Sequence, residues 1–293
     1  MGDPPFSRVL FAAAQPAGVK TILSKNSYIL TFITAAYLLA PCPSPAADME
    51  GSRALAMGGA YSAVAIGPDT IRMNPAGIGQ SRIYQIKAGY RLSFDDINTY
   101  NLSIVDFKTS SAPLGLSYTR EDLPDRERNY GTLSFSNSGS ATLIGLSIKY
   151  FEDTLLDDTE ISYDLGVLLT GGENFRLSLV GKNLTKTDFL FVHKTYTAGL
   201  AYSMSPEFLI SADYTKDEEL DRDNIISALV LEYVFTPALT VRGGYSSDER
   251  YSATYYSAGL AIFDRTGYLE YGYRWNKDVR DDKIHSLAMS LNY

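Results

Sequence analysis

The chain has 293 residues, with 26 Lys and Arg against 34 Asp and Glu, one Cys, two His and 22 Tyr. A net charge of −8 argues against a nucleic-acid binder, which needs cations to neutralise phosphates; one Cys excludes an internal disulfide and, with two His, leaves no zinc or haem ligand set. Beyond the N-terminus no apolar run is long enough for a helical membrane span, although the mean hydropathy of −0.10 is that of an ordinary globule.

The first element is an address. Tyr28 to Ala40 is a short apolar run preceded by Lys20 and Lys25 and followed by prolines and Ala46-Ala47-Asp48. A basic flank, an apolar core and small residues before a polar start describe a secretory signal. Residues 1–47 are therefore expected to be leader and signal, with Ser44-Pro45-Ala46 or Pro45-Ala46-Ala47 as the cleavage site and translation starting near Val19. Cys42 sits between prolines, which suits lipid attachment badly.

From Ile83 onward the sequence alternates. Tyr84, Ile86, Ala88, Tyr90 and Leu92 share one face and Gln85, Lys87, Gly89 and Arg91 the other, the period of a strand. The pattern recurs to the end and predicts fourteen strands: roughly 83–94, 98–107, 113–120, 129–136, 141–151, 159–170, 175–182, 195–203, 207–214, 225–234, 238–245, 252–262, 267–275 and 284–293, with twelve as the alternative count. The connections alternate too. Small turns such as Asn137–Ser140 and Ser205-Pro206 take turns with longer charged stretches: Glu121 to Arg128, Lys216 to Asp223, Ser246 to Arg250 and Asn276 to Lys283. Tight turns on one rim and longer loops on the other describe an outer-membrane barrel, not a soluble sandwich. Tyrosines near strand ends (Tyr100, Tyr118, Tyr130, Tyr150, Tyr163, Tyr202, Tyr214, Tyr245, Tyr273, Tyr293) are expected to form interface girdles.

The faces opposite the apolar ones carry Lys87, Arg91, Lys149, Glu160, Asp164, Arg176, Asp213, Glu232, Arg242, Glu270 and Arg274. Their mixed signs point to a luminal ion-pair network that pins an internal plug, rather than to an ion-selecting path. Asp213, Glu232 and Arg242 are expected on neighbouring strands. Phe189 to Val192 reads best as the upper part of an extended strand.

Residues 48–82 are Gly- and Ala-rich and lack strand alternation, so they suit compact folding in a bore of this size. Their glycines do not form a phosphate loop. The run Arg53-Ala54-Leu55-Ala56-Met57-Gly58-Gly59-Ala60-Tyr61, followed by Asn74-Pro75-Ala76-Gly77, resembles the FadL superfamily of outer-membrane transporters, in its short PorV/PorQ branch. Gly181 to Leu184, Gly199 to Tyr202 and Pro237 to Tyr245 extend the resemblance over most of the chain after the signal. It implies an all-β transmembrane antiparallel barrel, 83–293, with an N-terminal hatch, 48–82, in which Asn74, Pro75 and Ala76 help close the lumen. It also implies an outer-membrane location with periplasmic termini, and passive uptake of hydrophobic or amphipathic small molecules. The alternative is docking of secreted cargo, as in type IX secretion. Expected partners are lipid and the barrel-assembly machinery, the latter recognising Leu287, Met289, Leu291 and the terminal Tyr293. No cofactor or metal is expected. Only His193 and His285 could act as a base, and His285 is placed on the lipid face, so an enzyme is not expected.

Overall fold

The computed structural model describes residues 51–80, 82–93, 96–139, 141–185, 189, 192–218 and 224–293. The expected leader, signal and Cys42 lie outside them, as do the first three residues of the expected hatch.

Fourteen antiparallel strands close on themselves in chain order, β1 pairing with β14. They are β1 Tyr84–Leu92, β2 Asn98–Asp106, β3 Leu114–Asp122, β4 Glu127–Ser136, β5 Thr142–Asp153, β6 Asp158–Gly171 and β7 Phe175–Lys182. The second half comprises β8 Thr195–Ser203, β9 Phe208–Asp217, β10 Ile225–Thr236, β11 Leu239–Asp248, β12 Ala253–Asp264, β13 Gly267–Asn276 and β14 Lys283–Asn292. Alternation sets the faces. On β5, for example, Leu143, Gly145, Ser147 and Lys149 point inward while Ile144, Leu146, Ile148 and Tyr150 are exposed outside. The outer wall is a continuous apolar belt, including Leu102, Leu116, Leu146, Leu165, Leu200, Leu231 and Leu260, all exposed. Such a belt is matched by lipid and would aggregate in water.

Rings cluster at the rims. Towards the rim of the odd-to-even connections (the loop rim), Tyr90 meets Tyr100 at 5.1 Å, Tyr245 meets Tyr256 at 5.8 Å, and Trp275 stacks on Tyr273 at 5.2 Å. Nine of the ten tyrosines expected in girdles face outward or cap a strand end. Tyr130 does not: it is 7% exposed and donates its hydroxyl to Glu121 Oε2 at 2.8 Å inside the bore. It shares parity with Thr132 and Ser134, opposite to the outward Leu133 and Phe135.

The loop rim also differs from expectation. Half of Glu121 to Arg128 is strand: β3 runs to Asp122 and β4 restarts at Glu127, paired residue for residue. Arg120 closes this hairpin by bonding Asp122 and Glu127, each at 2.6 Å. Likewise Ser246 to Asp248 belong to β11, leaving a short 3₁₀ turn, Glu249–Tyr251. Charge near a rim does not end a strand, because a ladder can continue into water once cross-strand partners absorb the charge. Of the expected strand extension Phe189 to Val192, residues 190 and 191 lie outside the described residues; Phe189 and Val192 are not in a strand, since β8 begins at Thr195, and are buried with Tyr130 and Phe151.

The segment 51–80 lies inside the barrel. Helix α1 Ser52–Ala56, a 3₁₀ turn Gly67–Asp69, helix α2 Thr70–Met73 and a 3₁₀ stretch Pro75–Gln80 are almost wholly buried. Packing of α1 on β11–β14 and of Pro75–Gln80 on β4–β6 places the segment against opposite walls at once. Pro75–Gln80 sits at the rim of the tight turns, where a Cβ on Gly79 would meet the Asn137 carbonyl.

Candidate functional site

Glycines in the wall let the segment approach. A Cβ on Gly145 would lie 2.2 Å from Ala76 N, and one on Gly166 2.1 Å from Asn74 Oδ1. Both distances are far inside contact, so the inner wall at β5 and β6 is shaped to Asn74-Pro75-Ala76. Asn74 also organises its own turn. Its Nδ2 donates to the Ser62 carbonyl at 2.9 Å and its Oδ1 accepts the Ala76 N–H at 3.1 Å, which favours Asn at this position over an apolar residue. On the far wall, Gly58 and Gly59 take φ of 61° and 89°, the left-handed region that glycine enters without strain, and Gly58 abuts Gly244. Met57 is fully buried beside them.

A chain of charges ties segment to wall. Arg53 of α1 donates Nε and Nη2 to Glu232 at 3.1 and 2.9 Å. Glu232 accepts Arg242 Nε at 2.5 Å across the β10–β11 pair, and Arg242 Nη1 reaches Glu270 at 3.2 Å. Lys87 donates to Glu270 at 2.6 Å and to Asp69 at 2.7 Å, returning the chain to the segment. Asp69 also faces Arg72 at 3.7 Å. Every member is buried, and signs alternate from Arg53 to Asp69, so each charge is compensated in a dry setting. Burial alone would push the Asp69 carboxyl up, but Lys87, Arg72 and Arg53 outweigh it and hold it below the ordinary carboxylate value. The anchorage from this group is therefore complete above its unfolded value and is lost only as pH falls through the lowered one.

Asp213, Glu232 and Arg242 lie on the neighbouring strands β9, β10 and β11 as expected, but Asp213 does not join that chain. It pairs opposite Ala228, four residues along β10 from Glu232. Its Oδ2 accepts the main-chain N–H groups of Tyr61 and Ser62 at 3.1 and 2.9 Å, clamping the turn after Gly58-Gly59. Asp213→Ala strands the Ser62 donor at about 1–3 kcal/mol for a buried group left unsatisfied, whereas the Tyr61 N–H keeps the Gly59 carbonyl at 2.8 Å. Amide hydrogen exchange at Ser62 should then speed up at least tenfold, with a smaller effect for Asp213→Asn. Unchanged exchange would show that the clamp carries no weight.

The remaining expected residues form separate pairs. Lys149 bridges Asp164 at 2.7 Å and Asn183 at 2.9 Å. Arg91 meets Glu121 at 3.3 Å, Arg176 donates to Gln80 at 2.5 Å, and Arg274 lies over the Tyr255 ring at 5.0 Å. Glu160 is half-buried on the inner face of β6. Sequence reading missed Asp69 and Tyr61, because the segment has no period to assign faces, and Glu121, because its charge read as loop. The histidines lie on different faces. His193 bonds Asp217 at 2.7 Å at the loop rim, and His285 contacts Tyr271 at 2.8 Å on the outer face. At the C-terminus Leu287 faces outward but is covered between Tyr90 and Tyr271, while Met289 and Leu291 are half-buried. Tyr293 is exposed and donates its N–H to the Tyr84 carbonyl at 3.0 Å.

Above the segment, towards the loop rim, is a vestibule of about 80 Å³ floored by Gly59, Ser62 and Met73 and flanked by Lys182, Arg250 and Tyr255. A water needs on the order of 10–15 Å³ of such space, so the vestibule takes several waters. Beside it Tyr130, Phe151, Phe189 and Val192 make an apolar cluster in the mouth.

No family model matches the sequence, and no curated protein matches it. The barrel is similar to the outer membrane protein Omp33 of Acinetobacter baumannii, with a TM-score of 0.50 and 9% identity over 73% of this chain and 100% of that one. It is also similar to a mutant porin of Rh. blastica, with a TM-score of 0.45 and 12% identity over 72% of this chain and 99% of that one. At these identities the likeness is one of fold.

Proposed function

We propose that the chain is an outer-membrane barrel for passive passage of small hydrophobic or amphipathic solutes, with residues 51–80 acting as a hatch. The observation that carries this reading is the nature of the contact between segment and wall. Ion pairs, main-chain hydrogen bonds and glycine seats, contacts that water can replace when the segment shifts, hold it alongside an apolar cluster in which Ala54, Met57, Val64 and Met73 meet Leu209 and Val230 of the wall. The apolar cluster in the mouth beside Lys182 and Arg250 suits a solute with one oily and one polar end. On this reading the loop rim faces the exterior, the turn rim and C-terminus face the periplasm, and Tyr293 with its alternating apolar residues serves barrel assembly. The motif resemblance to the FadL superfamily, with Asn74-Pro75-Ala76 at the hatch seat, supports the same proposal. Cells lacking the protein should take up a labelled medium-chain fatty acid more slowly than their parent, and re-expression should restore the rate. Equal uptake would sink the proposal.

A second reading, docking of protein partners at the loop rim, is favoured by a rim that is uneven. β3 to β6 rise together to the pairs Asp122–Glu127 and Asp153–Asp158, whereas β7 stops at Lys182.

A further inference from the structure

Above the step in the rim, part of β6 has no paired strand among the described residues. β5 and β6 remain paired from Thr142–Leu169 up to Asp153–Asp158, but pairing of β6 with β7 starts only at Leu165–Gly181. Just above, the Tyr163 carbonyl still accepts the Leu184 N–H at 2.8 Å. Main-chain groups in a strand alternate sides, so the Ile161 N–H and C=O point the same way as those of Tyr163. Among the described residues, nothing bonds them. Ile161 lies opposite Tyr150, the last outward tyrosine of β5, so this edge stands at and beyond the girdle. In hydrocarbon such unpaired groups would be prohibitive; at the water boundary they are a template for another strand.

Charge selects the occupant. From Tyr150 to Phe175 there is no Lys or Arg, while the hairpin tip carries Glu152, Asp153, Asp157, Asp158 and Glu160. Asp153 is taken by Arg128 at 3.0 Å, but Asp157 and Asp158 are exposed. Beside them Leu155, Leu156 and Ile161 are exposed at 57%, 54% and 55%. A second copy of this edge would bring two acidic hairpins together, which like charges oppose. An extended segment alternating basic and apolar residues meets every requirement.

We propose that the free edge of β6 is a strand-addition site for an extended cationic segment of another protein. The segment pairs with the main chain of Ile161 and the Thr159 carbonyl, sets its Lys or Arg against Asp157 and Asp158, and lays its apolar residues on Ile161 and Leu156. This deepens the docking reading and is independent of solute passage, so fatty-acid uptake can fail or succeed without deciding it.

The test uses the full chain in zwitterionic nanodiscs and a fluorescent decapeptide of alternating Lys and Val, with alternating Glu and Val as control and empty discs subtracted. Saturable anisotropy binding is expected for the Lys peptide only. Binding should weaken at least tenfold in Ile161→Pro, which removes the edge donor, and in Asp157→Lys/Asp158→Lys. The wild-type Ile161 amide should exchange at least tenfold more slowly under saturating peptide, a readout that needs no variant, and heat-modifiable migration on gels checks that each variant is folded. Absence of saturable binding would overturn the proposal, leaving the carboxylates as guards of the edge. So would binding that Asp157→Lys/Asp158→Lys abolishes while Ile161→Pro and Ile161 exchange stay unchanged, since that is charge attraction without strand pairing. Peptide-independent dimers whose Ile161 amide is protected would assign the edge to a second copy instead.

Discussion

Glu232→Ala is expected to open the bore while leaving the barrel folded. Glu232 compensates Arg53 on one side and Arg242 on the other, and all three side chains are nearly inaccessible to solvent. Removing it leaves two guanidinium groups facing each other in a dry space, a loss of about 3–5 kcal/mol for a broken buried pair. Arg242 is fixed on β11, where Val241 and Gly243 hold it in register with β10 and β12. Arg53 sits on a five-residue helix seated against Gly259 and Gly272, so the strain is relieved by moving α1 off that seat into water. For a two-state hatch that energy shifts the open fraction by roughly two to four orders of magnitude. Planar-bilayer recordings should show long openings where the parent protein is mostly closed, with heat-modifiable gel migration retained. Glu232→Gln, which keeps an acceptor, should fall between. A variant that melts earlier but conducts no more than the parent would mean that the charge chain braces the wall and does not hold a hatch.

Gly145→Val should act in the same direction by steric means. Its Cβ would fall 2.2 Å from both Ala76 N and Pro75 C, and main-chain atoms cannot swing aside as a flexible side chain can. Valine suits a strand, so the β4–β5–β6 ladder gains local propensity while the seat of Asn74-Pro75-Ala76 is lost. Gly166→Val adds a collision with Asn74 Oδ1 at 2.1 Å and breaks the Asn74 turn. Gly131→Ala supplies the control, since its nearest neighbour is Tyr150 Cβ at 3.9 Å. Conductance should rise strongly in the first two and stay at the parent level in the third. Equal conductance in all four proteins would mean that the seat does not govern closure.

The strands were legible because a period of two survives single-sequence reading, and each strand needs only its own residues to declare it. The inward charges followed from parity alone, which is why Lys87, Glu232, Arg242 and Glu270 were foreseen together. Parity also places Tyr130 inward, beside Thr132 and Ser134, whereas residue type alone suggests a girdle; a ring is at home in a girdle or in a bore, and only the face decides. Glu121 and Glu127 were hidden by charge, which marks a loop only when cross-strand partners are missing. Pairings such as Arg53 with Glu232, 179 residues apart, depend on how α1 sits against β10, and nothing local encodes that. The short reach of β7 was present in the predicted boundaries, yet its consequence for the β6 edge needed the register.

On the proposed function, residues 51–80 gate the bore by shifting from their seat. Ser62 and Ser178 offer a direct handle, since their hydroxyl oxygens lie 2.6 Å apart, one on the segment and one on β7. With Cys42 replaced, Ser62→Cys/Ser178→Cys can be joined by a disulfide that ties segment to wall. Solute flux into proteoliposomes should then fall to the protein-free level under oxidation and return to the parent level on reduction. Flux that is equal in the oxidised and reduced states, with the cross-link shown complete, would contradict the account and make the segment a fixed plug.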